Sequence, residues 1–161
     1  MIRILEVASE VELAQARELF EEYAQSLGFS LCFQGFDQEL AGLPGYYAPP
    51  RGRLLLARFE GRLAGCVALR PFREDACELK RLFVRPEFRG HKIGKALMDA
   101  VLREARGIGY GRMVLDTVTG KMDRAIVMYR EYGFREIPSY GAHPVEGTIF
   151  MELALTSTPT P

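Results

Sequence analysis

Apolar residues recur along this chain at two spacings, and the alternation between them lays out most of its elements. Met1 to Ala8 carries Ile2, Ile4 or Leu5, and Val7 at the period of a strand. Ser9 and Glu12 form a capping-box pattern for the helix that follows. Its stripe is Leu13, Ala16, Leu19 or Phe20, and Tyr23, and it runs to Gly28. The next stretch, FSLCFQGFDQELAGLPGYYAPPRGR, is dense in Gly, Pro and aromatics and reads as loop, with one short helix over Phe36 to Ala41. From Arg53, RLLLARFEGRLAGCVALRPF predicts a hairpin of two strands turning at Glu60-Gly61. Glu78 to Val84 is a further strand, with Lys80 and Arg81 interrupting its apolar positions. Pro86 ends its pairing for want of an N–H.

From Ile93 the helical period returns at Ala96, Leu97, Ala100, Val101 and Ala105. Arg112 to Thr117 predicts another strand. Lys121 to Tyr132 predicts a helix with Met122, Ala125, Ile126, Met128 and Tyr129 on its apolar side and Gly133 as its stop. Phe134 to Ile137 and Thr148 to Leu155 are the last strands, separated by a loop holding Tyr140 and His143. The final TSTPTP is turn-rich and expected to fray.

Composition narrows the class without changing that layout. With 161 residues, 48% of them hydrophobic and 26% charged, the chain is an ordinary globular one, most simply a single domain over residues 1–155 with a flexible tail at 156–161. Basic and acidic residues balance at 21 each, which argues against a nucleic-acid partner. Cys32, Cys66 and Cys77 lack metal-ligand spacing and there are two histidines, so no metal site is expected. Free thiols suit a reduced cytoplasm, and no apolar run of about 18 residues suggests a membrane span.

The chemistry concentrates between the Glu78 strand and the helix at Ile93. The intervening RGHKIGKA places Gly90 and Gly94 among Arg89, Lys92 and Lys95. Unpaired N–H groups and the positive end of the dipole at a helix start, with glycines that admit close approach and flanking cations, make a phosphate or pyrophosphate cradle. A P-loop does not fit, because three residues rather than four lie between the glycines and Ala96 stands where the magnesium-binding hydroxyl belongs. A dinucleotide fingerprint does not fit either. The GIGYG run at Gly107 to Gly111 follows a helix and precedes a strand, the reverse of that motif.

RGHKIGKAL resembles the pyrophosphate-binding motif of the GNAT acetyltransferase superfamily, R/Q-x-x-G-x-G/A after a strand ending in V-x-P. AIVMYREYGF, Ala125 to Phe134, is similar to that superfamily's A-x-x-L-Y-x-x-x-G-F signature. The likeness covers residues 53 to 155 well and the first fifty only in general layout. One departure stands out: Lys92 occupies the place of the motif's first glycine. The resemblance implies an α/β (α+β) acyl-CoA N-acyltransferase fold. Its mixed, mostly antiparallel sheet has about six to seven strands flanked by about four helices. It also implies acetyl-CoA as cosubstrate, with no metal, and a cytoplasmic N-acetyltransferase acting on a primary amine of a small molecule or peptide by direct attack in a ternary complex. A homodimer is compatible with its exposed late strands.

On that resemblance, Arg89, Gly90, His91, Lys92, Ile93, Gly94, Lys95 and Ala96 hold the pyrophosphate. Leu82, Phe83 and Val84 pair with the pantetheine amides where two central strands splay, and a backbone N–H of Phe83 or Val84 serves the oxyanion. Glu78 matches by position the glutamate that is the base in several members, needed because an alkyl ammonium has a pKa near ~10. The plain alternative is a strand-end carboxylate paired with Lys80 or Arg81. Tyr129 matches the tyrosine that protonates the leaving thiolate, although its reference pKa of about 10 exceeds a thiol's about 8.5; its alternative is a core tyrosine. Met122 stands where the family often has an asparagine, leaving Asp123 or Thr117 to replace that contact. Phe36, Tyr46, Tyr47 and His143 are the candidate acceptor residues, with Phe29 and Phe33 beside them, or else aromatics packed over the sheet. Two other readings stay open: a CoA-binding or sensing module without turnover, and a nucleotide-binding protein.

Overall fold

The computed structural model describes residues 1–31, 35–141 and 145–155. Candidate residues Phe33 and His143, and the 156–161 tail, lie outside these. The strands are β1 (Ile2–Glu6), β2 (Arg53–Phe59), β3 (Arg62–Pro71), β4 (Ala76–Val84), β5 (Arg112–Val118), β6 (Arg135–Ile137) and β7 (Thr148–Ala154). The helices are α1 (Glu10–Ser26), α2 (Phe36–Ala41), α3 (Ile93–Ile108) and α4 (Asp123–Tyr132). Seven strands form one sheet in the order β1-β2-β3-β4-β5-β7-β6, antiparallel throughout except for the β4–β5 pair.

Local chemistry sets the element ends. Ser9 Oγ accepts from the Glu12 N–H at 3.1 Å while Glu12 Oε1 takes the Ser9 N–H at 3.2 Å, so the capping box that starts α1 is complete. The β2–β3 hairpin turns through Glu60 and Gly61 with φ of 52° and 79°, the paired positive values of a tight turn matched to strand twist. Several boundaries differ from the sequence reading. Most visibly, β4 begins two residues earlier, at Ala76, α3 continues to Ile108, and α4 begins at Asp123 rather than Lys121. Hydrogen bonding to neighbouring strands or turns decides each of these, and periodicity does not report it.

The central strands are buried on both faces, which is why β2 and β3 read as continuous apolar runs. Leu55, Val67, Leu69 and Leu79 face Leu97, Met98 and Val101 of α3, with Tyr129 and Phe134 in the same cluster. Leu54, Leu56, Cys66 and Phe83 face Ala16, Leu19 and Phe20 of α1 and Phe36 of α2. Cys66 and Cys77 are buried free thiols, and burial pushes the Cys77 thiol up to about 12, so neither is a ready nucleophile.

Candidate active site

The β4–β5 ladder is short. Register pairs join Ala76 to Arg112, Cys77 to Met113 and Glu78 to Val114, and beyond these the two strands run on without pairing. Residues 79–84 of β4 therefore line, without β5 pairing, a cleft of about 1130 Å³ whose opposite wall is 115–118 of β5 and the start of α4.

A bulge bends β4 at this point. Its register with β3 shifts between Cys66 and Ala68, opposite Arg81, which holds φ at 60°. A β strand rarely tolerates a non-glycine residue there. The Arg81 side chain shows what holds it: Nε donates to Glu39 Oε2 at 2.9 Å and Nη2 to Oε1 at 2.8 Å. Its guanidinium also lies 5.2 Å from the Phe36 ring centroid and 6.0 Å from that of Tyr23. The bulge lies just beyond Glu78, where β4–β5 pairing ends and the cleft opens, with the buried Arg81–Glu39 fork beside it.

At the floor of the cleft, β4 passes through Arg85, the turn Pro86–Phe88, and Arg89 into α3. No side chain caps α3, and its first backbone acceptor pair is Ala96 N–H to Lys92 O at 3.1 Å. The helix thus offers its opening N–H groups to the cleft, flanked by Arg89, Lys92 and Lys95. Lys121 and Arg124 line the other side; the sequence reading passed over both, although their charge just before and within the first turn of α4 was visible. Met122 and Asp123 also line the cleft; Asp123 Oδ1 accepts the Gly120 N–H at 2.8 Å, and Thr117 Oγ1 lies 3.2 Å from Met122 Sδ.

The loop residues do not all face one way. Gly90 (φ 89°) and Lys92 (φ 65°) are both left-handed, and His91 between them stacks on Phe59 with centroids 4.5 Å apart. His91 and Ala96 are not among the residues lining the cleft; Arg89, Gly90, Lys92, Ile93, Gly94 and Lys95 are. Lys92 therefore stands at a position whose backbone, and not only whose motif, asks for glycine. Replacing Lys92 with Gly relieves a left-handed strain of about 1–2 kcal/mol and adds glycine's unfolded-state entropy of roughly 0.5–1 kcal/mol. The expected result is a Tm higher by about 2 °C without ligand, together with roughly threefold weaker acetyl-CoA binding at low salt. A lowered Tm in differential scanning calorimetry would show that the backbone there is unstrained.

The ladder also sorts the backbone donors. Arg85 N–H donates to Ala64 O at 2.8 Å, so Phe83, two residues back, also faces β3. Val84 faces the open edge, and its carbonyl accepts from Arg89 Nε at 3.2 Å. The side chain of Phe83 packs against Tyr23, centroids 6.0 Å apart.

Tyr129 lines the cleft and is 6% exposed. Burial pushes its phenol well above the ordinary tyrosine range, with Tyr23 and Asp116 adding to the effect. Across the cleft, Lys80 is 7% exposed with Nζ 3.9 Å from Asp116 Oδ1. Burial draws its pKa down, and the charges of Glu78 and Asp116 draw it back up.

Glu78 sits at the last β4–β5 pair, 3% exposed. Arg70 Nε reaches its Oε1 at 2.9 Å, Arg70 Nη2 the same oxygen at 2.8 Å, and Tyr140 O–H donates to Oε2 at 2.7 Å. Burial alone would raise its pKa, but Lys80, Arg70 and Tyr140 together hold it below the usual carboxylate range. Neither Arg70 nor the Tyr140 bond was predicted; Arg70 meets Glu78 only through the β3–β4 register, Arg70↔Glu78. Tyr140 is wedged between Phe72 and Phe150, both 4.6 Å centroid to centroid.

The acceptor candidates divide. Tyr46, which is 79% exposed, and buried Tyr47 line a second cavity of about 270 Å³ together with Arg70. Phe36 lies beneath Arg81 and does not line that cavity. Phe29 lines the larger cleft. Among the described residues no group of three or more His, Cys, Asp or Glu side chains could hold a metal, and no helix is long and apolar enough to cross a membrane.

A sheet opened between two parallel strands, with a basic helix start lining the opening, has the shape and charge to suit an extended, phosphate-bearing ligand. The family model for acetyltransferases of the GNAT family matches residues 13–134, and the chain belongs to that family. It is an acetyl-CoA-dependent acetyltransferase. An uncharacterised N-acetyltransferase of Schizosaccharomyces pombe is 39% identical over 147 residues, 90% of each chain. A GNAT-family acetyltransferase of Staphylococcus aureus superposes with a TM-score of 0.79 over 97% of this chain and 100% of its own, at 22% identity. A Salmonella typhimurium protein solved with its cofactor acetyl-CoA gives 0.71 over 99% and 97%, at 19% identity. The seven-stranded, mostly antiparallel sheet with four helices is the fold of these neighbours.

Proposed function

We propose that this chain transfers acetyl from acetyl-CoA directly to a primary amine of a small-molecule or peptide acceptor, both substrates being bound at once. The observation that carries the reading is the parting of β4 from β5 beyond Glu78, leading into the uncapped start of α3. Arg89, Lys92, Lys95 and the first N–H groups of α3 suit a pyrophosphate, and the edge of β4 suits an amide-bearing arm lying alongside it as an added strand. Acetyl-CoA supplies the activated thioester; the protein supplies position, hydrogen bonds and proton transfer.

Of the two amides considered for the oxyanion, that of Val84 faces the cleft, and it is the one assigned this role. Tyr129 keeps its proton at neutral pH, because burial holds its pKa up, and so acts on a departing thiolate chiefly as a hydrogen-bond donor. Glu78, with both oxygens bonded and a depressed pKa, is too weak a base to deprotonate the free amine. It takes the proton through Tyr140 as C–N bond formation makes the nitrogen strongly acidic: the phenol oxygen accepts the proton from nitrogen while its own passes to Glu78 Oε2, and CoA leaves as the thiolate.

Tyr129→Phe and Tyr140→Phe are each expected to lower kcat about 10²-fold while leaving the Kd for acetyl-CoA within twofold. Full kcat in Tyr140→Phe would remove the relay. The donor itself is tested by thermal shift: saturation at a hundred times Kd adds about 2.7 kcal/mol, a rise of roughly 5–10 °C with acetyl-CoA and none with Mg-ATP. No shift with acetyl-CoA or CoA would sink the reading.

A further inference from the structure

The second cavity tells what the rest of the acceptor carries. It lies on the α1–α2 side of the sheet, walled by Gly35, Gln38, Glu39, Tyr46 and Tyr47 and closed at its base by Arg70. Its wall meets that of the larger cleft, because Glu39 of the cavity is bonded to Arg81 of the cleft. An acceptor whose nitrogen enters the cleft thus extends its remaining groups toward Arg70.

We infer that this cavity binds a carboxylate of the acceptor, so that the substrate class is amino acids or peptides with a free carboxylate near the acetylated nitrogen. The inference rests on the acetyl-transfer reading above and narrows it. Arg70 is held in place through one edge only: Nε and Nη2 both go to Glu78 Oε1, and its side chain stays 34% exposed. A guanidinium has five N–H donors, and the Nη1 end is left to form charge-assisted bonds to an incoming carboxylate. Glu39 is the one acidic group in the wall, and both of its oxygens already accept from Arg81, at 2.9 and 2.8 Å. Its charge is therefore matched, and it does not leave the cavity as a receptor for a cation. Gln38 contributes an amide and Tyr46 a phenol at the mouth, both able to donate to carboxylate oxygens. An amine with only an alkyl or aryl body would cover the Nη1 end of Arg70 without bonding it, and a site built to bond a polar group rejects the analogue lacking it strongly.

The test uses equilibrium binding to the full chain in the presence of saturating CoA, with N-acetyl-L-amino acids against their α-carboxamides as matched pairs. The expected result is at least 30-fold tighter binding of the acid, falling to within threefold in Arg70→Gln and partly retained in Arg70→Lys, with CoA affinity unchanged in both. In turnover, the free amino acid exceeds its amide and its decarboxylated amine in kcat/KM by a similar factor. Equal binding of acid and amide, binding of neither, or a preference for the decarboxylated amine would each overturn the carboxylate assignment while leaving acetyl transfer intact. Failure of CoA itself to bind would instead overturn the donor site, and is read separately in the same titration. Should Arg70→Gln fold poorly, the wild-type acid-to-amide ratio alone decides.

Discussion

Glu39→Ala is expected to cost about 3 kcal/mol of stability and to lower Tm by roughly 6–12 °C. Arg81 is 4% exposed and donates two hydrogen bonds to the Glu39 carboxylate. Removing that carboxylate leaves a buried guanidinium without its counter-charge, which costs far more than an exposed ion pair would. A second consequence is more telling. Arg81 is the left-handed residue at the β4 bulge, and that bulge follows directly on the last β4–β5 pair, at Glu78. In the double variant Glu39→Leu/Arg81→Leu, apolar packing restores much of the lost stability, as it often does when a whole buried pair is replaced. The backbone is then free to return to regular pairing, and acetyl-CoA binding is expected to stay at least tenfold weaker. Restored Tm together with wild-type affinity would show that the pair does not shape the cleft; an unchanged Tm in Glu39→Ala would show that it is not a clamp at all.

This fork also marks where sequence reasoning stopped. The elements were legible because each rests on a local rule: the Ser9–Glu12 box, the positive-φ turn at Glu60-Gly61, the helical stripe from Ile93 and the stop at Gly133. The cradle was legible for the same reason, since Gly90, Lys92 and Gly94 sit within one loop and one helix turn. Arg81 and Lys80, by contrast, looked like charges interrupting a strand. Only the approach of α2 and β5 shows them buried, with partners 42 and 36 positions away in the chain at Glu39 and Asp116. Arg70 meets Glu78 through a register that depends on a bulge, and one residue of slip would put them on opposite faces. His91 illustrates the converse: its neighbours face the cleft, but the two left-handed residues around it leave it against Phe59. A motif gives the membership of a loop and is silent on the direction of each side chain.

Gly65→Ala is expected to lower both stability and acetyl-CoA affinity by a single added methyl. A Cβ at Gly65 would lie 2.5 Å from Phe83 O and 3.3 Å from both Val84 Cα and Leu97 Cδ1. The first of these is backbone and cannot rotate aside, so β4 itself must move, at a cost of about 3 kcal/mol or more. α3 blocks relief on one side through Leu97, which is fully buried. The strand is therefore pushed along the sheet into the cleft, carrying the Val84 amide with it. Both Tm and acetyl-CoA affinity should fall, the latter more than tenfold. Gly52→Ala provides the contrast. Its Cβ would meet Tyr46 O at 2.4 Å, an equally rigid obstacle, but in the turn that walls the second cavity. That variant should lose comparable stability and keep its affinity for acetyl-CoA, because the displaced backbone belongs to the Tyr46–Tyr47 turn and not to the β4 strand itself. If the two variants weaken acetyl-CoA equally, the loss reflects general destabilisation, and the close approach of β3 to the bulged strand has no special part in holding the donor cleft open.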